Sequence, residues 1–242
     1  MDEYVLITGG TKGIGKALAK SLSQKGYNLI LTYGTDSTAA QLTRDELRAA
    51  CDVDIIVLQA DSADKKAIDI ILNAIETRHI RLKTVILNAG VTCRDRFEAL
   101  TLDDWERVFF ANVHFPTFLL QRLLDHIPKG GSVIFTGSLM ALHPHGLSLP
   151  YGVTKAAVHA LVKNLVKYLT PYDIRVNAVA PGFIDTDWQK TKSEDLRRQI
   201  EGKIALGRFC DPDELTGVYQ LLIDNSYING EVIVVDGGYA YK

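Results

Sequence analysis

Cysteine is scarce in this chain. Of 242 residues only Cys51, Cys93 and Cys210 are cysteines. Their number is odd, they lie far apart, and no Cys-x-x-Cys pair occurs, so free thiols in a reducing cytoplasm are expected. A basic excess is also missing. The 27 Lys and Arg against 29 Asp and Glu leave a formal net charge of -2, which argues against nucleic acid as the main ligand. Long apolar runs are absent: those present are short, such as Val85–Leu87, so no membrane-spanning helix is expected. The N-terminus reads Met-Asp-Glu and enters a strand at once, without the charged-then-apolar pattern of a secretion signal. No linker, repeat or low-complexity stretch breaks the chain. The reading is therefore one domain over residues 1–242, with 47% hydrophobic residues to build its core.

Within that domain, short β-branched runs alternate with longer helical patterns. Strands are expected over Tyr4–Thr8, Asn28–Tyr33, Val53–Gln59, Thr84–Asn88, Ser132–Thr136, Ile174–Ala180 and Glu231–Asp236. They read as continuously apolar rather than alternating, the pattern of a parallel sheet covered on both faces. Helices are expected over Ile14–Lys25 (with Gly26 as its cap), Thr38–Ala50, Ala63–Arg78 and Tyr151–Leu169. One long helical stretch spans Leu102–Ile127, with a kink at Pro116. Repeated β-α units predict an α/β fold, a Rossmann-like doubly wound parallel sheet with helices on both faces. Residues 183–207 are polar, charged and helical in pattern, and sit where a lid over a cleft would be inserted.

Two local patterns carry chemistry. Thr8-Gly9-Gly10-Thr11-Lys12-Gly13-Ile14-Gly15 follows the first strand and opens the first helix. Glycines let a backbone approach a pyrophosphate closely, and the helix N-terminus offers unpaired N–H groups. The spacing is Gly-x-x-x-Gly-x-Gly rather than the general dinucleotide fingerprint, and a tight turn without a ligand is the plain alternative. The second pattern is Tyr151-Gly152-Val153-Thr154-Lys155, which places a phenol and an ammonium one helical turn apart. A free tyrosine has a pKa of about 10. A fixed cation beside it is expected to lower that value and make the phenol a usable proton donor or acceptor. The bland alternative is a solvated helix face.

Taken together, the glycine loop, Asn88-Ala89-Gly90, Ser138 lying thirteen positions before Tyr151, Tyr151-x-x-x-Lys155 and Pro181-Gly182 resemble the short-chain dehydrogenase/reductase family from Val5 to Gly238. The resemblance implies about seven parallel strands, a nicotinamide cofactor, and a homotetramer or homodimer. It implies Tyr151 as general acid in reduction and base in oxidation, with Lys155 lowering its pKa and holding the nicotinamide ribose. Ser138 would bond the substrate oxygen, and Asn112 would hold a water that links Lys155 to solvent. The cofactor would meet Gly9, Thr11, Lys12, Gly13, Ile14 and Gly15, then Tyr33, Thr35, Asp61 and Ser62. Further contacts would come from Asn88, Ala89 and Gly90, and from Pro181, Gly182, Ile184 and Thr186. Asp61 also reads as a helix N-cap.

At the end of the second strand, Tyr33 occupies the slot in which a carboxylate would favour NAD. Lys12 is placed to face a 2′-phosphate, with the Thr35 and Ser37 hydroxyls beside it, so NADP(H) is the expected cofactor. Among relatives, Gly90-Val91-Thr92-Cys93-Arg94-Asp95, Leu206-Gly207-Arg208-Phe209 and Val235-Asp236-Gly237-Gly238 resemble 3-oxoacyl-(acyl-carrier-protein) reductases, with one residue inserted in the first segment. That resemblance implies a ketone substrate on an acyl thioester and an acidic carrier protein docked on Arg122 and Lys129. The second docking position reads Tyr172, with Arg175 nearby. Residues 139–150 carry two prolines, with His143 and His145 two apart. No third metal ligand is visible and no metal is expected. Other carbonyl or alcohol substrates (a sugar, a polyol, a polyketide-type ketone) stay open, as does a non-catalytic NADP-binding regulator.

Overall fold

The computed structural model describes residues 3–144, 148–190 and 192–241. Seven parallel strands form one sheet: β1 (Glu3–Ile7), β2 (Asn28–Tyr33), β3 (Ile55–Gln59), β4 (Arg81–Leu87), β5 (Ser132–Thr136), β6 (Arg175–Pro181) and β7 (Val232–Val235), in the order β3-β2-β1-β4-β5-β6-β7. The chain winds outward from β1 in one direction and from β4 in the other. The strand order therefore switches between β1 and β4, where the carboxyl ends leave a crevice.

Each face of the sheet buries its own core. On one face Val5, Ile7, Leu29, Leu31, Ile86 and Ile134 meet α1 (Gly13–Gln24), Leu47 of α2 (Ser37–Ala50) and α9 (Thr216–Asp224). On the other, Leu6, Ile30, Val85, Val133 and Phe135 meet α3 (Lys66–Glu76), α5 (Phe115–Leu123) and α6 (Leu149–Leu169). Both faces of β5 are buried along its whole length, which is why it reads as an unbroken apolar run. The Asp36 side chain caps α2 by accepting the Ala39 N–H at 3.0 Å. Pro150 sits in the first turn of α6, where a missing N–H costs nothing.

The stretch expected as one helix over Leu102–Ile127 is instead α4 (Leu102–Phe109), a π-turn over Phe110–His114, α5 and a short 3-10 turn. Pro116 explains the break. It has no N–H for the carbonyl of Asn112, and its ring crowds that carbonyl, so the preceding turn widens and the Phe115 N–H reaches back to Phe110 O. The helix α9 was not expected at all; its run Thr-Gly-Val-Tyr carries a glycine and β-branched residues that hide the helical period. Residues 183–207 hold two short helices, α7 (Asp187–Lys190) and α8 (Glu194–Glu201). Among the described residues no helix is long and apolar enough to cross a membrane.

Candidate active site

The crevice at the β1/β4 switch opens into a cleft of about 560 Å³. Gly9, Thr11, Lys12, Gly13, Ile14, Tyr33, Thr35, Asp61, Ser62, Asn88, Ala89, Gly90, Ser138, Tyr151, Lys155, Pro181, Gly182, Ile184 and Thr186 all line it. Two residues singled out from sequence do not. Gly15 is buried behind the loop, where any Cβ would overlap the Gly9 carbonyl, so only glycine lets α1 start this close to its own loop. Asn112 is buried behind Lys155 and Gly90.

The glycine loop is held by a short polar network. Thr8 Oγ1 accepts the N–H groups of Asn88 and Ala89, both at 3.0 Å. Thr32 Oγ1 accepts the Gly9 N–H at 3.1 Å. Asn88 Nδ2 donates to the carbonyls of Thr8 and Gly9 at 3.1 and 3.3 Å. Its Oδ1 must then accept, and Thr136 Oγ1 donates to it at 3.2 Å. That uses the one Thr136 proton, so the Tyr219 phenol, 2.7 Å away and fully buried on α9, is the donor to Thr136. The chain Tyr219–Thr136–Asn88–Gly9 thus ties a helix on one face to the loop that opens the cleft. Sequence reasoning missed it, because the two hydroxyls lie 83 residues apart.

At the floor of the cleft, Ser138 ends the loop after β5 and its buried hydroxyl bonds the Tyr151 phenol. The Ser138 N–H is held from behind by Nε2 of buried His159 at 3.4 Å. His159 is one turn beyond Lys155 on α6 and packs against Gly137, where a Cβ would collide with the imidazole. Burial first, then the cations of Lys155 and Lys163, push its pKa down to about 4, so it serves as a neutral acceptor. Lys155 Nζ donates to the Thr136 carbonyl at 2.6 Å and lies 5.5 Å from the centre of the Tyr151 ring.

The expected lowering of the phenol pKa by Lys155 is not what this geometry gives. Burial pushes Tyr151 up to about 12, and it is the bond with Ser138 that pulls it back in part. Part of the ring still faces the cleft, yet the protein around the hydroxyl desolvates it. The same burial pushes Lys155 down to about 8. Both groups are driven toward neutrality because the cleft floor disfavours charge of either sign. A neutral phenol and the Ser138 hydroxyl side by side can hydrogen-bond one carbonyl oxygen, and the phenol can give it a proton.

Asn112 spends its side chain on structure. Oδ1 accepts the Val91 N–H at 2.8 Å, and Nδ2 donates to Val91 O and Thr154 Oγ1, both at 3.0 Å. Lys12 does not stand alone: it forms an ion pair with Asp36. Asp61 accepts the Ala63 N–H at 2.9 Å and lies against Gly34, so it makes the turn while lining the cleft. Among the docking candidates, Arg122 pairs weakly with Asp69 at 3.7 Å and Lys129 is exposed. Arg175 is excluded, because its guanidinium donates to the carbonyls of Leu222, Ile223 and Ile228 inside the fold. His143 is exposed beyond the cleft lining, and His145 lies outside the described residues. All three cysteines are free thiols.

Residues 9–240 match the family model described as Enoyl-(Acyl carrier protein) reductase. The chain is 34% identical to the 3-oxoacyl-(acyl-carrier-protein) reductase of Aquifex aeolicus, over 96% of its own length and 95% of that protein. It belongs to the short-chain dehydrogenase/reductase family. Solved members of this family overlay closely. The short-chain dehydrogenase/reductase of Serratia marcescens gives a TM-score of 0.91 at 29% identity, and a short chain dehydrogenase of Burkholderia cenocepacia, solved in complex with NADP, gives 0.90 at 29%. Each comparison covers 98% of both chains. As a short-chain dehydrogenase/reductase the protein is an oxidoreductase of CH–OH and C=O groups, which matches a cleft whose floor pairs a phenol with a serine hydroxyl.

Proposed function

We propose that the protein is an NADPH-dependent ketoreductase that converts a 3-oxoacyl thioester to the 3-hydroxyacyl thioester. The observation that carries this reading is the meeting of Tyr151, Ser138 and Lys155 on the floor of the same cleft that the glycine loop opens. The loop fits a dinucleotide phosphate: α1 has no acid in its first turn, its N-terminus faces the cleft, and Gly15 has no room for a side chain. Lys12, Tyr33 and Thr35 would hold the 2′-phosphate end, Asp61, Ser62 and Asn88–Gly90 the adenosine, and Pro181–Thr186 the nicotinamide. When bound, that cofactor supplies the hydride.

The chain supplies the rest. Ser138 Oγ and the Tyr151 phenol bond the ketone oxygen and orient it, and the phenol gives its proton to the developing alkoxide. Lys155 stabilises the phenolate left behind, so the cost of losing that proton in a buried site falls at the moment of transfer. Asn112, clamped to Val91 and Thr154, leaves its main-chain carbonyl as the relay point, and Pro116 cannot fill that carbonyl from the next turn. Residues 183–207 act as the lid, with the Trp188 ring standing 5.7 Å from the Tyr151 ring. Docking of an acidic carrier protein falls to Lys129 and Arg122. Assembly as a homotetramer or homodimer belongs to the same reading. It would cover exposed Leu102, Phe118 and Tyr168 on α4, α5 and α6.

The test is NADPH oxidation with an acetoacetyl thioester, run beside NADH and a panel of sugar, polyol and aromatic ketones. Thioester-dependent turnover with NADPH supports the reading. Turnover confined to another carbonyl class refutes the substrate.

A further inference from the structure

The catalytic cleft has a second polar end that the carbonyl chemistry does not use. Arg94 and Lys192 both line the cleft: one follows β4, the other belongs to residues 183–207, and the two are close enough to repel. The Arg94 guanidinium donates to the Trp188 carbonyl at 3.2 Å, and the Trp188 ring is in edge contact with Tyr151. One residue therefore separates this cation from the catalytic phenol.

Three other cations of residues 183–207 are paired with acids. Lys190 pairs with Asp187 at 2.5 Å, Arg197 with Asp185 at 3.1 Å, and Arg198 with Asp195 at 2.5 Å. Lys192 is half-buried and has no ion-pair partner among the described residues. Burial and the like charges of Arg94 and Arg197 hold its pKa below the ordinary lysine value. A same-sign pair that faces a shared cavity repels itself, and that repulsion is relieved when an anion enters. The acids of the cleft lie elsewhere: Asp36 is paired with Lys12, Asp187 with Lys190, and Asp61 lies against Gly34. Gln189 also lines the cleft, and its buried side-chain oxygen has no hydrogen-bond donor among the described residues. An acceptor in that position suits an amide N–H or hydroxyl carried on the same ligand.

We propose that Arg94 and Lys192 form an anion clamp at the mouth of the cleft, which takes a phosphate or carboxylate carried by the substrate several bonds from its reacting carbonyl, while Gln189 accepts a hydrogen bond from the linker between them. The clamp builds on the thioester reading, since a phosphopantetheine arm offers amide N–H groups and a terminal phosphate. A small oxo acid offers the same anionic chemistry through a carboxylate.

The test is calorimetric binding to the full chain of 4′-phosphopantetheine against pantetheine, and of acetoacetate against acetoacetamide. Wild type, Lys192→Gln and Arg94→Gln are compared, with thermal melts to check folding. Wild type prefers the charged member of one pair, and each variant lowers that preference by about tenfold, the value of one charge-assisted hydrogen bond. Loss confined to the phosphate pair names the arm as the source; loss confined to the carboxylate pair names the small oxo acid. Equal binding of charged and neutral members in wild type, or a preference that survives both substitutions, overturns the clamp. Turnover of an acetoacetyl thioester is measured separately, so its absence would remove the thioester reading without touching the binding result.

Discussion

The link from Tyr219 to the glycine loop makes a sharp quantitative test, because its two hydroxyls have unequal duties. Thr136 stands between the Tyr219 phenol at 2.7 Å and Asn88 Oδ1 at 3.2 Å. Tyr219→Phe removes one buried donor and leaves Thr136 still bonded to Asn88, a loss of about 1 kcal/mol. Thr136→Val strands the Tyr219 phenol, whose side chain is only 1% exposed, and takes the donor from Asn88 as well. An orphaned buried hydroxyl costs about 2 kcal/mol, roughly 6 °C in melting temperature for a chain of this size. The double variant removes the phenol together with its acceptor, so only the lost Asn88 bond, about 1 kcal/mol, remains. Urea unfolding of the four proteins should therefore give a double variant more stable than Thr136→Val alone, with a coupling of about 3 kcal/mol. Cofactor affinity should separate from stability: every variant carrying Thr136→Val loses the Asn88 bond and should bind NADPH about fivefold more weakly, equivalent to about 1 kcal/mol. Additive stability losses, with the double variant the least stable, would refute the directed chain of hydrogen bonds.

Other outcomes follow from the same geometry. Asp36→Asn keeps the cap on Ala39 but releases Lys12, so NADPH should bind about threefold to tenfold more tightly while NADH changes little, read by fluorescence titration. Gly15→Ala forces a methyl into the Gly9 carbonyl, and the displaced loop should cost about 3 kcal/mol of stability and most of the cofactor affinity. His159 has a folded pKa of about 4 against an ordinary 6.5, so the unfolded state binds the extra proton. Stability should then fall as pH drops from 6.5 toward 4, by up to about 1.4 kcal/mol per pH unit, and His159→Gln should flatten that slope. Lys155, with a pKa near 8, loses its charge above that pH, so the reduction rate should decline there although the phenol stays protonated.

The sheet was legible in the chain because its strands are apolar on both faces, and Asn28–Tyr33 and Ser132–Thr136 were read to the residue. The main pieces of the cleft were legible too, since glycine spacing and the Tyr151/Lys155 pair are short-range patterns. What stayed hidden depends on distance or on burial. Asp36 sits in a turn whose approach to Lys12 only the folded loop creates. Tyr219 and His159 look like ordinary helix residues until the fold brings them to Thr136 and Ser138. The pKa of Tyr151 was misjudged for the same reason: spacing reveals a nearby cation, but desolvation is a property of the whole cleft. The π-turn at Phe110–His114 was half visible, as Pro116 announced a break whose form its crowding of Asn112 then decided.

The central claim is that the Tyr151 phenol protonates the carbonyl while the glycine loop independently holds the cofactor. The direct measurement is single-turnover oxidation of bound NADPH by an acetoacetyl thioester in wild type and Tyr151→Phe, with the NADPH dissociation constant determined on both. The account predicts that Tyr151→Phe binds NADPH within about threefold of wild type but reduces the thioester at least about a hundredfold more slowly, the contribution of one positioned proton donor. Turnover in Tyr151→Phe at the wild-type rate would contradict it.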